Sequence, residues 1–401
     1  MTAIKLNDLA LQWDVIKEEC LPKINKFLES GYYIGNPIIA EFEENFAEYI
    51  GTEFAVAISN GTDALKLSLQ SLELTGKTCV LMPANTYIAN AFAASYFNYE
   101  IKLIDCDQYY GIKISHLHAW LAGNREKYDN VIVMGVHLYG YPVNIERLKS
   151  LCVLYKVYLI EDCSQAHGAM VRVGKVGNFG ELSVFSCYAA KNLGAAGECG
   201  VITTNHSDLK DILLKLRNMG EEQKYIHTRI GWNNRPQAFQ CIILNEKLKY
   251  LDEWNSYRSR IAERYNKLLK NLPIMLPKEP DWAVISVFHL YVIRTNKRDE
   301  LQSFLSKKEI ETGMHYPVPI SKAPVYDHSN PEYHYADYFS VSTPTPNQNN
   351  AASHYSSLQN LINTHKWQNQ LLSLPMHPFL TDNEVDYVAS SIEEFFNEKQ
   401  N

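Results

Sequence analysis

A lysine surrounded by small, apolar and glycine-rich sequence is the first candidate for chemistry. Lys191 lies in the segment Ser186–Gly200, and a glycine-rich turn that would let a flat molecule approach follows it. Desolvation lowers the pKa of a lysine amine, which can then attack an aldehyde and form a Schiff base. A lone lysine is more often a solvated surface charge, but these flanks favour a buried amine. Ser186, from the preceding strand, could bind a phosphate.

A carboxylate at the end of a predicted strand is the second candidate. Asp162 lies in Glu161–Gly168, directly after the apolar run Val157–Ile160. Pyridoxal 5′-phosphate (PLP) needs such a carboxylate, because the negative charge keeps its pyridine nitrogen protonated and the ring then acts as an electron sink. Gln165 could donate a hydrogen bond to the ring's phenolate oxygen. An aspartate that only caps the next helix is an equally good interpretation of this segment alone.

Two further patterns are weaker. In Ser59–Leu65 a strand runs into a helix through Gly61, and the N–H groups of the first helical turn, with the Thr62 hydroxyl, would form an anion site. A plain N-cap by Asn60 or Thr62 is the commoner explanation of such a segment. The segment Gly231–Gln240 is by itself only a polar helix start with a proline near its first turn.

The elements that must position these residues alternate between short apolar runs and helical segments. The predicted strands are Ala55–Ser59, Cys79–Pro83, Ile101–Asp105, Val131–Tyr139 and Val157–Asp162. The predicted helices between them are Thr62–Leu72, Tyr87–Tyr96, Ile114–Ala122 and Ile145–Tyr155. This alternation predicts an α/β fold, a mostly parallel sheet with helices on both faces, in which ligands bind at the carboxyl ends of the strands.

The remaining segments suggest two domains. Residues 1–50 are predicted to be helical, Leu182–Ser186 and Gly200–Thr204 to be strands, and about Ala238–Leu272 to be one long helix. We predict a large domain over residues 1–245 and a smaller C-terminal α+β domain over 246–401, with a strand at Val284–Thr295 and a final helix from about Asn383. The polar segment 326–367 should be a surface loop or insertion, since it can bury little apolar area.

Composition narrows the class of protein. The chain has 401 residues, 46% of them hydrophobic and 21% charged, with a net charge of −7, which is typical of a soluble globular protein. Without a block of Lys and Arg it is a poor candidate for binding nucleic acid. Its 8 cysteines are scattered and form no C-x-x-C pair, so buried, reduced thiols are expected rather than disulfides or a metal site. No signal peptide or membrane-spanning run is visible, so we expect a cytoplasmic protein.

Taken in order, the patterns resemble one family. The chain resembles the nucleotide-sugar aminotransferases of the DegT/DnrJ/StrS group, which are PLP-dependent transferases of fold type I, the aspartate-aminotransferase-like fold. The matching segments are Gly31–Gly35, Phe42–Glu43, Ser59–Leu65, Pro83–Tyr87, His137–Gly140, Glu161–Gly168, Ser186–Gly200, Gly231–Gln240, Thr312–Pro317 and Ser373–Pro378. Each segment alone is weak, but the full set in this order is highly specific.

The resemblance assigns a role to each candidate residue. Lys191 would carry the cofactor and shuttle a proton, and Asp162 would pair with the pyridine nitrogen. The remaining cofactor contacts would come from Gly61, Thr62 and Ser186 at the phosphate, Tyr87 on the ring face, Gln165 at the phenolic oxygen, and Asn233, which would reach a phosphate in the neighbouring subunit of a homodimer. The sugar side of the site would include Arg235, His315 and Tyr316.

The resemblance also implies the reaction, in which L-glutamate gives its amino group to a keto-sugar linked to a nucleotide and leaves as 2-oxoglutarate. The segments Leu216–Gly220 and Lys224–His227 look most like members that aminate C3 of dTDP-linked 3-keto-6-deoxy sugars. The chain departs from the family pattern at Ser321, Glu198 and Pro236. These departures concern the identity of the sugar more than the chemistry. A PLP-dependent sugar dehydratase of the same fold and a non-catalytic regulator are the alternatives, and the presence of both Lys191 and Asp162 favours transamination.

Overall fold

The fold is described from a computed structural model, over residues 3–326 and 361–398. Seven strands form the central sheet, in the order β1-β9-β8-β5-β4-β2-β3. Their bounds are β1 Phe54–Ile58, β2 Thr78–Pro83, β3 Glu100–Ile104, β4 Asn130–Val136, β5 Tyr158–Asp162, β8 Leu182–Ser186 and β9 Gly200–Thr204. Strands β8, β5, β4, β2 and β3 pair in parallel, whereas β9 is antiparallel to both β1 and β8. The predicted α/β fold with a mostly parallel mixed sheet is therefore confirmed.

Helices connect the strands, and several begin at a residue that caps them. Their bounds are α1 Leu9–Ser30, α2 Ile38–Ile50, α3 Gly61–Ser71, α4 Ala89–Tyr96, α5 Ile114–Asn124, α6 Ile145–Tyr155, α7 Ser207–Leu216, α8 Ala238–Leu248, α9 Leu251–Leu269, α10 Arg298–Lys307, α11 Ile362–Trp367 and α12 Asp382–Glu398. Asn144 caps α6 by accepting the N–H of Arg147 at 3.1 Å, and Asn60 caps α3 in the same way. Within the described ranges, none of these helices is long and apolar enough to cross a membrane.

The remaining strands are short. Their bounds are β6 Met170–Val171, β7 Gly174–Lys175, β10 Glu221–Gln223, β11 Ile226–His227, β12 Ala283–Ile285, β13 Tyr291–Arg294 and β14 Leu371–Leu374. The antiparallel pair β13–β14 packs with α9, α10 and α12 around a separate apolar core. Ile4, near the start of the chain, pairs with Ile310 in this core. The domain boundary near residue 245 stays a prediction.

Two of the predicted elements, a helix and a strand, are each divided in two in the structure. The long helix Ala238–Leu272 is two helices, α8 and α9, which break at Lys249 and Tyr250. Helical spacing of apolar residues continues on both sides, and no glycine or proline marks this break. The strand Val284–Thr295 is likewise two strands, because the chain turns at Phe288, which has a φ of 41°.

The predicted polar loop 326–367 extends too far at its C-terminal end. Its part from 327 to 360 lies outside the described residues, but its last turn forms helix α11 and packs on the molecule. Leu361 and Thr364 are buried, and the Arg294 guanidinium lies 3.9 Å from the ring centre of Trp367. All 8 cysteines are buried thiols, as predicted.

Candidate active site

One edge of the central sheet collects the residues that the sequence singled out. Strands β1, β2, β4, β5 and β8 all end at this edge, because they run in the same direction. Gly61, Tyr87 and Lys191 lie in the segments that follow β1, β2 and β8, respectively, and Asp162 is the last residue of β5. Residues that are more than 100 positions apart in sequence thus come to one crevice, as is usual for ligand sites in such sheets.

Lys191 lies in a tight turn between β8 and β9. Its backbone N–H donates to the carbonyl of Tyr188 at 2.8 Å, and Ala195 N–H donates to the carbonyl of Cys187 at 2.9 Å. The turn needs glycine at position 194, since a Cβ there would lie 2.1 Å from the carbonyl oxygen of Ala189. Burial lowers the pKa of Lys191 to about 8, while the charge of Asp162 acts in the opposite direction. Lys191 is therefore a half-buried residue with a desolvated amine rather than a solvated surface charge.

Asp162 is the last residue of β5, and it is only 6% exposed. Its Oδ2 accepts a hydrogen bond from Nδ2 of Asn90 at 2.8 Å, and its Oδ1 accepts the N–H of Ser164 at 3.0 Å. A turn and the short strand β6 follow it, so it does not cap a helix. Asn90 also donates to Oγ1 of Thr86 at 3.2 Å, which ties the carboxylate to the segment that carries Tyr87. Sequence reasoning missed Asn90 and placed it only on a predicted helix.

Gln165 forms hydrogen bonds with two tyrosines. Its side-chain oxygen accepts the N–H of Tyr139 at 2.6 Å, and its Nε2 donates to the hydroxyl of Tyr316 at 2.9 Å. The rings of Tyr316 and Tyr87 lie 5.1 Å apart, and Tyr87 is 51% exposed at the mouth of the crevice. The structure therefore brings Gln165, Tyr87 and Tyr316 together near Asp162. Sequence analysis assigned Asp162, Gln165 and Tyr87 to the cofactor and Tyr316 to the sugar.

Three histidines around Lys191 have lowered pKa values. Burial, followed by the charge of Lys191, lowers the pKa of His315 to about 4 and that of His167 to about 3. The same causes hold the pKa of His289 well below its ordinary value. Nδ1 of His315 lies 2.8 Å from Oγ of Ser373, and its carbonyl accepts a hydrogen bond from the Tyr139 hydroxyl. At neutral pH these imidazoles are uncharged, and they add no further positive charge beside the lysine.

The beginning of α3 approaches the end of β8 very closely. A Cβ on Gly61 would lie 2.6 Å from Cβ of Ser186 and 2.9 Å from its Oγ, so only glycine fits there. Thr62 is exposed beside it. Asn60 caps the helix through the N–H of Asp63 at 2.8 Å, as the N-cap interpretation predicts, and the anion site stays a prediction.

Asn233 and Arg235 are not brought to Lys191 within the chain. Asn233 is exposed, and its backbone pairs with that of Asn218. Nη1 of Arg235 donates to Oδ1 of Asn218 at 2.7 Å. The neighbouring Asn234 is buried instead, and its Nδ2 donates to Oγ of Ser59 at 3.1 Å.

Two asparagines that sequence reasoning missed connect the loops of Lys191 and Asp162. Nδ2 of Asn192 donates to Oδ1 of Asn255 at 2.8 Å, and Nδ2 of Asn255 donates to the carbonyl of His167 at 2.8 Å. Both are buried. Only the position of Asn192 next to Lys191 could have drawn attention to it, because Asn255 lies on a distant helix.

Glu161 supports the same edge and was also missed. It is fully buried and accepts hydrogen bonds from the N–H groups of Gly177, Phe179 and Gly180 and from the Ser183 hydroxyl. Nε2 of His137 lies 3.1 Å from one of its oxygens. Because both of its oxygens take part in these contacts, Glu161 connects β4, β5 and the turn before β8 and has a structural role.

A profile of the DegT/DnrJ/EryC1/StrS aminotransferase family matches residues 14–340 of the chain. The chain is also 35% identical, over 80% of its length and 83% of the relative's, to the dTDP-3-amino-3,4,6-trideoxy-alpha-D-glucose transaminase of Streptomyces venezuelae. It is 30% identical, over 98% of its length and 97% of the relative's, to a UDP-N-acetyl-3-dehydro-alpha-D-glucosamine 3-aminotransferase of Acidithiobacillus ferrooxidans. These relatives act on sugars that carry different nucleotides.

The fold is similar to a solved structure over nearly the full chain. The crystal structure of S. venezuelae DesV superposes with a TM-score of 0.85 and 31% sequence identity, covering 98% of this chain and 99% of that chain.

Proposed function

The chain belongs to the DegT/DnrJ/EryC1/StrS aminotransferase family, and we propose that it uses PLP on Lys191 to move an amino group from L-glutamate to a nucleotide-linked keto-sugar. As the substrate we propose a dTDP-linked 3-keto-6-deoxyhexose. The observation that carries the proposal is the buried amine of Lys191, which has a pKa of about 8 and lies within electrostatic reach of Asp162.

The residues of the crevice fit a flat, phosphorylated aldehyde. The close approach of Gly61 to Ser186 leaves a cradle of backbone and hydroxyl groups that any larger residue would fill. Asp162 is held in one orientation by Asn90 and Ser164, as a carboxylate that pairs with a ring nitrogen requires. When bound, PLP supplies the electron sink that stabilises negative charge next to the amino group being moved.

The chain's own residues then have separate tasks. Lys191, once neutral, is the nucleophile that holds the aldehyde, and its amine also accepts and returns the proton from the carbon next to nitrogen. With the cofactor bound, Asp162 would pair with the ring nitrogen and Gln165 would offer a side-chain N–H to the phenolic oxygen. Tyr87 would shield the cofactor from water.

The sugar side of the site would be formed by His315 and Tyr316. His315 is an uncharged imidazole held by Ser373, and the Tyr316 hydroxyl is held by Gln165, so both offer fixed hydrogen-bonding groups beside Tyr87. The segments Leu216–Gly220 and Lys224–His227 support the C3 amination of a dTDP-linked sugar, as does the S. venezuelae relative. Asn233, exposed on this chain, would complete the phosphate site of the partner in a homodimer.

Running the reaction in reverse tests the proposal. The pure protein is incubated with PLP, 2-oxoglutarate and a panel of dTDP-, UDP- and GDP-linked amino sugars, and mass spectrometry shows which sugar loses its amine. We expect loss from a dTDP-3-amino-6-deoxy sugar, with formation of L-glutamate, and no turnover by the variant Lys191→Ala. Loss from a UDP- or GDP-linked sugar alone would overturn the dTDP assignment. A panel that keeps every amine would overturn the transaminase proposal and favour the dehydratase or regulator alternatives.

A further inference from the structure

Asp63, in the first turn of α3, gathers four hydrogen-bond donors around one carboxylate. Its Oδ2 accepts from Oγ of Ser59 at 3.0 Å, from Nδ2 of Asn60 at 2.8 Å and from Nδ2 of Asn234 at 2.6 Å. Its Oδ1 accepts from Nζ of Lys66 at 2.6 Å. Although burial raises the pKa of this carboxyl, the hydrogen bond and charge of Lys66 hold it below its ordinary value. Asp63 therefore stays ionised and keeps accepting from all four groups at neutral pH.

These contacts fix the amide of Asn60 in one orientation. Because Nδ2 of Asn60 points to Asp63, its Oδ1 faces the helix and accepts the N–H of Asp63 at 2.8 Å, while its carbonyl accepts the N–H of Ala64 at 3.0 Å. An α-helix leaves its first four N–H groups without partners inside the helix. The N–H of Ala64 makes the first bond within the helix and the Asn60 side chain takes the N–H of Asp63, so the N–H groups of Gly61 and Thr62 remain available beside Ser186.

The same carboxylate fastens the segment that carries Asn233. Nδ2 of Asn234 donates to Asp63, and the carbonyl of Asn234 accepts the N–H of Ser59 at 2.9 Å. Lys66, paired with Asp63, lies 4.6 Å from the ring centre of Trp232 on the same segment. Asp63 thus joins the beginning of α3 to the chain on either side of Asn233.

We propose that Asp63 is a positioning residue for the cofactor's phosphate: it holds Asn60 so that the N–H groups of Gly61 and Thr62 stay free for the phosphate oxygens. The inference rests on the proposed function, since it needs a phosphorylated ligand in this cradle. Charge alone predicts the opposite effect, because a carboxylate next to an anion site repels the anion. The sign of the change on removing the charge therefore separates positioning from simple electrostatics.

The test compares PLP with pyridoxal, the same aldehyde without the phosphate. Dissociation constants of both are measured by absorbance titration of the apo-protein for the wild type and for Asp63→Asn. An asparagine at this position presents an NH2 group either to Lys66 or to the other donors, so the orientation of Asn60 is lost. We expect PLP binding to weaken on the order of tenfold while pyridoxal binding stays the same.

Asp208→Asn is the matched control, because Asp208 is an exposed aspartate in the first turn of α7. It should leave the ratio of the two dissociation constants unchanged. Asn234→Ala, which removes one donor to Asp63, should give a smaller loss that is again specific for PLP, and circular dichroism confirms that each variant is folded.

The outcomes distinguish the inference from the proposed function. If the wild type binds PLP no better than pyridoxal, the phosphate cradle itself is wrong and the proposed function with it. If the wild type prefers PLP but Asp63→Asn keeps or increases that preference, the positioning role of Asp63 is overturned and the cradle stands. Equal weakening of both ligands would assign Asp63 a general structural role and would also overturn the inference.

Discussion

At the scale of single residues, Lys191, the proposed attachment point of the cofactor, has to be uncharged to attack an aldehyde, yet it lies near a carboxylate that favours its charge. Burial has a larger effect on this amine than the charge of Asp162, and the pKa of Lys191 falls to about 8. Asn90 and Ser164 donate hydrogen bonds to the Asp162 carboxylate and hold it in one orientation. The neutral histidines His167 and His315 add no further charge that would upset this balance.

The rate at which the apo-protein takes up PLP should rise with pH. Since only the neutral amine attacks, and the pKa of Lys191 is about 8, uptake should accelerate from pH 6.5 to about 8 and level off above it. Stopped-flow absorbance of the bound cofactor gives the rate at each pH. A rate that is flat across this range, or that rises only above pH 10, would show that the amine is not desolvated.

Replacing Asp162 by Asn should shift the midpoint of this pH profile to a lower pH. The charge of Asp162 raises the pKa of the Lys191 amine, so its removal lowers the midpoint of uptake. Transamination should nevertheless fall by about 10²-fold or more, because the ring nitrogen loses its anionic partner. A midpoint that stays in place or moves upward would contradict the electrostatic link between the two residues.

Sequence reasoning identified the residues with a distinctive local context and missed those defined by distant contacts. Lys191 and Asp162 stand out because small, glycine-rich or strand-end sequence surrounds them. Asn90 and Asn255 do not, since each lies on an ordinary helix and acquires its role only when the fold brings it to Asp162 or Asn192.

At the scale of elements, the contact between the beginning of α3 and the end of β8 determines the shape of the crevice. Gly61→Ala would place a Cβ 2.6 Å from Cβ of Ser186. We expect this variant to fold but to bind PLP at least about tenfold more weakly, because α3 must move away from β8. Absorbance titration of the apo-protein with PLP measures the effect.

Gly123→Ala is the control for this substitution. Gly123 lies on α5 with no atom within 4 Å of an added Cβ, so alanine should stabilise the protein by about 0.5–1 kcal/mol and leave PLP affinity unchanged. Wild-type affinity in Gly61→Ala would show that the close approach is not needed for cofactor binding.

Asp105, directly after β3, is one of the residues that hold helix α11. Asp105 is buried, and its carboxylate accepts the N–H groups of Asn363 and Thr364 at 3.0 and 2.9 Å, as well as the Thr364 hydroxyl. Asp105→Ala should lower the free energy of unfolding by about 1–3 kcal/mol in urea denaturation. Asp105→Asn should lose less, since its amide oxygen can still cap the helix. Equal stability of Asp105→Ala and the wild type would show that α11 is held by its other contacts.

The bounds of elements were predictable where a local signal marked them. Strands Leu182–Ser186 and Gly200–Thr204 and helix Ile145–Tyr155 have the predicted ends, since apolar runs or caps define them. The break between α8 and α9 has no such signal. Strand β4 ends at Val136, three residues before the predicted end at Tyr139. The N–H of Tyr139 donates to the side chain of Gln165 and not to a neighbouring strand.

At the scale of the whole molecule, the order of the strands could not be read from the sequence. The antiparallel strand β9 inserts between β1 and β8, which are more than 120 residues apart at their nearest ends. Likewise, Ile4 pairs with Ile310. Such long-range pairings follow from the packing of the complete chain, whereas the alternation of strands and helices predicted the parallel part of the sheet correctly.

The proposed sharing of sites between two subunits can be tested by mixing inactive variants. Lys191→Ala lacks the amine, and Asn233→Ala would lack the group offered to the partner. After the two variants are unfolded and refolded together, random pairing should restore about a quarter of wild-type activity, because half of the dimers contain one complete site. Absence of any recovery, with dimers present in light scattering, would show that each site is complete within one chain.

The central claim is a covalent bond between the Lys191 amine and the PLP aldehyde, and borohydride trapping tests it most directly. The chain offers an internal comparison, because burial also lowers the pKa of Lys247 to about 8, and its amine donates to the carbonyl of Gly194 at 2.7 Å. The protein is incubated with PLP, reduced and digested, and the modified peptide is sequenced by mass spectrometry. The adduct is predicted on Lys191 alone; an adduct on Lys247 or another lysine instead, or no adduct at all, would contradict the claim.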